Sequence, residues 1–297
     1  MWIYYLLIII SVAMFGGGFA LNDVYRRMRG SGLIISMESS CIGSIAGLVL
    51  LLLINGFVFE FTPFTLLMAA LASLNGIAFT FCAFRALDYI NLSLFSVFAM
   101  LGGMALPFLQ GMIFYGEPLT VAKGVCVVFI ALALILTVQR GEKKNGSIFY
   151  AGIFLLNGMS GVISKIFTSS TLPKASPAGY SILCSLVTIL LSSIVWIILA
   201  QRKKQRSKEA LHMDLRRIYG SYGVSAANGA INKIANYMLV VALAHVEASV
   251  QYPMVTGGTM IVSTVISLFG DKKPDKNEII SVALAFIGML ALFLIPV

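Results

Sequence analysis

The chain has 297 residues, of which 59% are hydrophobic and only 11% charged, with a formal net charge of +9. A water-soluble domain of this size carries about a quarter charged residues, so a soluble protein is excluded. The surplus of Lys and Arg is the mark of cytoplasmic loops facing anionic lipid, and nucleic acid is not an expected partner.

Ten apolar runs of about 20 residues follow one another, each long enough to cross a hydrocarbon core about 30 Å thick. They cover residues 2–22, 33–54, 64–85, 90–114, 120–138, 148–168, 177–199, 218–244, 248–269 and 278–296. The runs are apolar all round, whereas a membrane β-barrel would show short alternating segments. No basic stretch precedes the first run, and it is too long for the core of a cleavable signal, so it is expected to remain as a helix. Cys41, Cys82, Cys126 and Cys184 sit inside apolar runs with no CxxC spacing. They read as small buried hydrophobes, with no disulfide or metal site.

Polar residues inside these runs are the candidates for function. Glu38, about five residues into the second run, is the only carboxylate clearly inside a span. It is a candidate for proton coupling or for an ion pair with a buried lysine. Asn75 and Asn157 stand near the middle of the third and sixth runs and could line a cavity. Gln110, Lys165 and Gln251 lie nearer the ends of their runs, and Lys165 can snorkel to the interface. Gly16-Gly17-Gly18, Gly102-Gly103 and Gly257-Gly258 allow close helix approach, and the last pair is also a candidate for the site. Pro107 and Pro253 fall inside the fourth and ninth runs, where they free backbone carbonyls.

The eighth run concentrates the signal. Asn228, Asn232 and Asn236 are spaced four apart and share one helix face, and Lys233 leans the same way. Lys233 lies near the centre of the hydrocarbon, too deep for its stem to reach either interface. A charge there is costly and marks binding or coupling, unless a carboxylate pairs with it. The three asparagines either contact a ligand or join helices to one another. Tyr237 and Tyr252 complete the polar face, with packing the plainer role for both.

The two halves read as a duplication. Ala86-Leu87, Ser93 and Gly102 recur 156 positions later as Ala242-Leu243, Ser249 and Gly258. Gly116-Glu117 recurs loosely at Gly270-Asp271. Five runs per copy put the second copy into the membrane from the opposite side. The expected fold is an all-α integral membrane protein. Its ten transmembrane helices form two inverted five-helix repeats, residues 1–140 and 147–297, in one membrane domain. With the N-terminus outside, 17 of the 21 Lys and Arg fall in cytoplasmic loops. The expectation is therefore a multi-pass plasma (inner) membrane protein with both termini outside.

These features resemble the drug/metabolite transporter superfamily, EamA-like branch. The resemblance spans nearly the whole chain. It rests on the two sets of five runs, on residues 86–120 with Ala86-Leu87, Pro107 and Gly116-Glu117, and on their counterpart at 242–258. Gly229 to Lys233, GAINK, is similar to the GALNK motif of nucleotide-sugar transporters in that superfamily. Their FYNN motif is absent, so a nucleotide-sugar substrate does not follow. Members of the superfamily are usually drawn with cytoplasmic termini, and the charges here argue the reverse.

The resemblance implies secondary transport by alternating access. Lys233 points to a small polar substrate, anionic or zwitterionic, such as an amino-acid-like compound or an organic acid. Lipid flipping or export of a drug or amine is the alternative, and a non-transporting receptor would call for larger soluble loops. No Walker A, GxSxG or HExxH motif occurs, so an enzyme is not expected, nor any cofactor or metal. Protons are the candidate coupling ion, and a homodimer is a state the sequence allows.

Overall fold

The computed structural model describes residues 2–114, 147–206, 215–243, 245–246, 248–270 and 273–294, with scattered positions between 120 and 133. Among the described residues nine long helices follow in order: α1 (Trp2–Arg29), α2 (Leu33–Ile54), α3 (Pro63–Ala86), α4 (Leu92–Phe114), α5 (Ser147–Ser169), α6 (Pro177–Arg206), α7 (Leu215–Leu243), α8 (Ala248–Leu268) and α9 (Lys276–Leu294). Most of the predicted run at 120–138 lies outside the described residues. Those that are described there after Thr120, such as Val121, Ala122, Val128 and Phe129, are helical. Cys126 and Glu117 also lie outside them.

The helix ends follow from local chemistry. Gly30, with φ +100°, terminates α1 and donates its N–H to the Arg26 carbonyl. Thr62 caps α3, accepting the Thr65 N–H at 3.1 Å ahead of Pro63. Asn91 caps α4 through the Leu94 N–H at 2.8 Å, and the Ser176 hydroxyl accepts from the Gly179 N–H at the start of α6. α1 runs seven residues beyond the predicted apolar stretch. Asp23 holds Arg26 and Arg27 at 2.7 and 2.8 Å, one turn on, and these pairs carry the helix out of the hydrocarbon.

Six helices, α1 to α6, are long and apolar enough to cross a membrane, which makes this a helical membrane protein. α7 has the length, 29 residues, but lacks the apolarity, because its centre carries the asparagines and Lys233. Side chains such as Leu6, Val49, Leu67 and Leu190 are exposed on the outer surface, as lipid-facing positions require.

Helices of the first half pack chiefly on helices of the second. α1 lies against α7 and α8, α2 against α6 and α7, α3 against α5 and α6, and α4 against α5 and α8, with α9 on α8. Two crossings are backbone to backbone. A Cβ on Gly229 of α7 would overlap the backbone of Gly43 on α2, and one on Gly102 of α4 would overlap Phe154 of α5. Small residues at such crossings let dispersion contacts replace the missing hydrophobic drive between helices in lipid. Aromatic side chains fill the wider gaps, with Phe19 edge-on to Phe95 at 5.0 Å and Phe167 stacked on Tyr180 at 4.1 Å.

Candidate functional site

Helices that cross at close contact on one side diverge on the other, and a cavity of about 380 Å³ opens among α1 to α8. This is a common size for a small-molecule site. Among the described residues Lys233 is the only Lys or Arg in its lining, and no Asp, Glu or His lines it. Among the described residues Lys233 makes no hydrogen bond or ion pair.

The position of Lys233 is set by α2. Gly43 and Gly47 are four apart, a G-x-x-x-G pair that faces α7. Gly229 rests on Gly43, and the stem of Lys233 lies across Gly47. A Cβ added there would stand 2.5 Å from Lys233 Cγ and 2.9 Å from its Cβ. The glycine groove therefore brings α7 close and directs the ammonium into the cavity.

Asn228, Asn232 and Asn236 line the cavity and form a ladder. Asn236 Nδ2 donates to the Asn232 carbonyl at 2.8 Å, Asn232 Nδ2 to Asn228 Oδ1 at 2.6 Å, and Asn228 Nδ2 to Asn22 Oδ1 on α1 at 2.7 Å. Gly18 on α1 leaves the room these amides need, since a Cβ there would meet Asn232 Nδ2 at 2.6 Å. Asn75 and Asn157 line the opposite wall. Asn75 Nδ2 donates to the Leu156 carbonyl at 2.8 Å, and Asn157 Nδ2 to the Ala99 carbonyl at 2.6 Å. The NH₂ groups of Asn75, Asn157 and Asn228 thus each join two helices, while those of Asn232 and Asn236 bond within α7. The oxygens of Asn75, Asn157, Asn232 and Asn236 have no hydrogen-bond partner among the described residues. An amide oxygen only accepts, so these four present acceptors and no donor through that end.

Gln251 and Tyr252 also line the cavity, and other predicted residues lie elsewhere. Tyr237, Gly257 and Gly258 do not line the cavity, and Gly258 packs on Val12 of α1. Glu38 is buried at 7% exposure, and both of its oxygens accept from Arg29 Nη2, at 2.8 and 2.6 Å. The Arg29 guanidinium also lies 5.6 Å from the centre of the Tyr222 ring. Glu38 and Lys233 are not a pair. The lysine packs on Gly47, about 13 Å farther along α2 at 1.5 Å per residue.

Sequence reasoning missed part of the lining. Asn22 stands at the last position of the first predicted run, where a polar residue carries little signal. Ser39, Ser40, Ser160, Ser164 and Ser225 line the cavity, with the Ser39 and Ser225 hydroxyls 3.1 Å apart. Serines in apolar helices usually bond their own backbone and carry little signal. The G-x-x-x-G spacing on α2 was the one readable clue to the wall behind Lys233.

No family model matches the chain, and no curated protein matches it. Among solved structures 28 chains match. One of them, described only as the crystal structure of a protein, aligns over 97% of this chain and 95% of its own length. Its TM-score is 0.65 and its identity 17%. At that identity the likeness speaks for the fold alone.

Proposed function

We propose that the chain is a secondary transporter of a small anionic or zwitterionic metabolite, of the drug/metabolite transporter kind. The observation that carries this reading is a polar cavity within a membrane protein where, among the described residues, the single charge is the unpaired ammonium of Lys233. An ammonium held there attracts an anionic group, which offsets its desolvation, and repels a cation. A site for amines would call for a carboxylate. None lines the cavity, so export of a cationic drug is the less supported reading.

Helix packing supports the repeat. Exchange α1 to α4 with α5 to α8 in order, and α1 on α7 becomes α5 on α3, α2 on α7 becomes α6 on α3, and α1 on α8 becomes α5 on α4. Each of these pairings occurs. Such pairing fits two inverted halves of five helices with the site between them, the arrangement that serves alternating access. The proposed setting is the plasma membrane with both termini outside.

The test is a thermal-shift screen of purified protein against organic acids, amino acids, sugars and amines. A ligand raises apparent stability in proportion to RT ln(1 + [L]/Kd). Stabilisation by acids and amino acids that disappears in Lys233→Met supports the reading. Stabilisation by amines alone would overturn it.

A further inference from the structure

The lining of the cavity specifies more than the sign of a charge. We propose that the substrate is a polyhydroxylated monocarboxylate, of the sugar-acid class, with its carboxylate on Lys233 and its hydroxyls on the amide oxygens around it. This rests on the anionic site proposed above and narrows it.

Two independent counts lead there. The first is charge. Among the described residues the cavity holds one cation and no other charged side chain. A bound monoanion gives a neutral complex. A phosphate dianion leaves one negative charge uncompensated in a poorly solvated site, with no arginine in the lining to take it. A zwitterion leaves one positive charge, with no carboxylate in the lining to receive its ammonium.

The second count is of donors and acceptors. Asn75, Asn157, Asn232 and Asn236 spend their NH₂ groups on backbone carbonyls or on a neighbouring asparagine, and their oxygens have no partner among the described residues. Gln251 repeats the pattern. Its Nε2 donates to the Leu239 carbonyl at 2.9 Å, and its Oε1 is buried without a partner. An amide oxygen only accepts, so the ligand must donate. A simple carboxylate such as acetate has no donors. A glycol or sugar has donors but no charge. Hydroxyl groups add donors without adding charge, and a sugar acid combines both. Phe15, Phe19 and Phe79 also line the cavity and offer aromatic faces for the C–H side of such a chain.

Purified protein, wild type and variants, is titrated by thermal shift with D-gluconate, acetate, D-glucose, L-alanine and inorganic phosphate. D-Gluconate is expected to bind at least tenfold more tightly than any of the other four. Lys233→Met should reduce gluconate to the level of glucose. Asn236→Leu, on the more open side of the cavity, should weaken gluconate several-fold and leave acetate unchanged. If acetate binds as tightly as gluconate and Lys233→Met abolishes both, the anion site stands and the hydroxyl reading falls. If alanine or phosphate binds more tightly than gluconate, the monoanion count is wrong. If no anion binds in a Lys233-dependent way, the proposed function falls with the inference. A destabilised Asn236→Leu would be replaced by Asn236→Thr, with the same expectation.

Discussion

Two regions of this molecule bury charge within or beside the membrane, and they handle it in opposite ways. At the end of α1, Asp23, Arg26, Arg27, Arg29, Glu38 and Asp88 are knit together. Arg26 bridges Asp23 and Asp88 at 2.7 and 2.8 Å, Ser31 donates to Asp88, and Arg29 grips Glu38. In the cavity Lys233 stands among neutral amides with no counter-ion. The first region answers each charge within the protein, and its work is to join α1 to α2 and to the loop after α3. The second leaves one charge for something else to answer. In a hydrocarbon setting an unanswered charge is the better sign of function than charge density, because an ion cluster already accounts for its own desolvation.

The largest expected effect lies in the cluster. Glu38→Gln leaves Arg29 buried without its carboxylate and should cost about 3 kcal/mol, the usual penalty for breaking a buried pair from one side. Thermal unfolding followed by size-exclusion would register it, and Arg29→Met in the same chain should recover most of the loss. A Glu38→Gln protein as stable as wild type would dissolve the contrast between the regions.

Lys233→Met should move stability the other way or not at all, since it removes an unpaired charge and keeps the stem. Its effect should appear in binding, a loss of about 1.5–3 kcal/mol, the range for a hydrogen bond to a charged group. Aggregation of this variant would mean that the lysine has a structural partner after all. Isothermal titration on monodisperse protein separates the two outcomes.

A smaller effect is expected from Gly47→Ala. The added methyl must push the Lys233 stem aside, for about 1 kcal/mol of stability. Affinity should fall less than in Lys233→Met. Equal affinity in Gly47→Ala and wild type would show that the ammonium finds its place without the groove.

The smallest effect concerns Glu60, in the loop before α3. The Ser176 N–H donates to its carboxylate and holds its carboxyl below the usual carboxylate range. With the folded value depressed, the contact stabilises above the unfolded value of about 4.3 and is lost as pH falls through the folded one. Glu60→Gln should therefore flatten the acid limb of a melting-temperature profile slightly and leave pH 7 binding unchanged. An unaltered acid limb would remove Glu60 from the account.

Much of this architecture was legible. Continuous apolar runs locate helices because hydrocarbon forces every backbone polar group into internal bonding, and nine runs agree with the described helices to within a few residues at most ends. The exceptions are the ends of α1 and α6, which run on into Arg- and Lys-rich sequence that hydropathy alone discounts. Lys233 and five asparagines near it in sequence or space were legible because polar groups are rare in such helices. The cavity is lined by the predicted Asn75, Asn157, Asn228, Asn232, Lys233 and Asn236, and by Gln251 and Tyr252. The partner of Glu38 was not legible. Arg29 lies only nine residues away, but beyond the predicted end of the first run, and periodicity says nothing about contacts across a turn. The serines were hidden for a different reason, since a hydroxyl that bonds its own helix looks the same in sequence as one that faces a ligand.

The seat of Lys233 on Gly47 has a further consequence, for entropy. A free lysine side chain loses about 1.5–2 kcal/mol of rotamer freedom when it is fixed. Here the first carbons of the stem are already confined against α2 in the empty protein. That share of the loss is incurred once, on folding, and only the outer torsions remain to be ordered when an anion arrives. If the proposed anion binds at Lys233, its affinity depends on a residue with no functional group, on another helix, that need never touch the ligand.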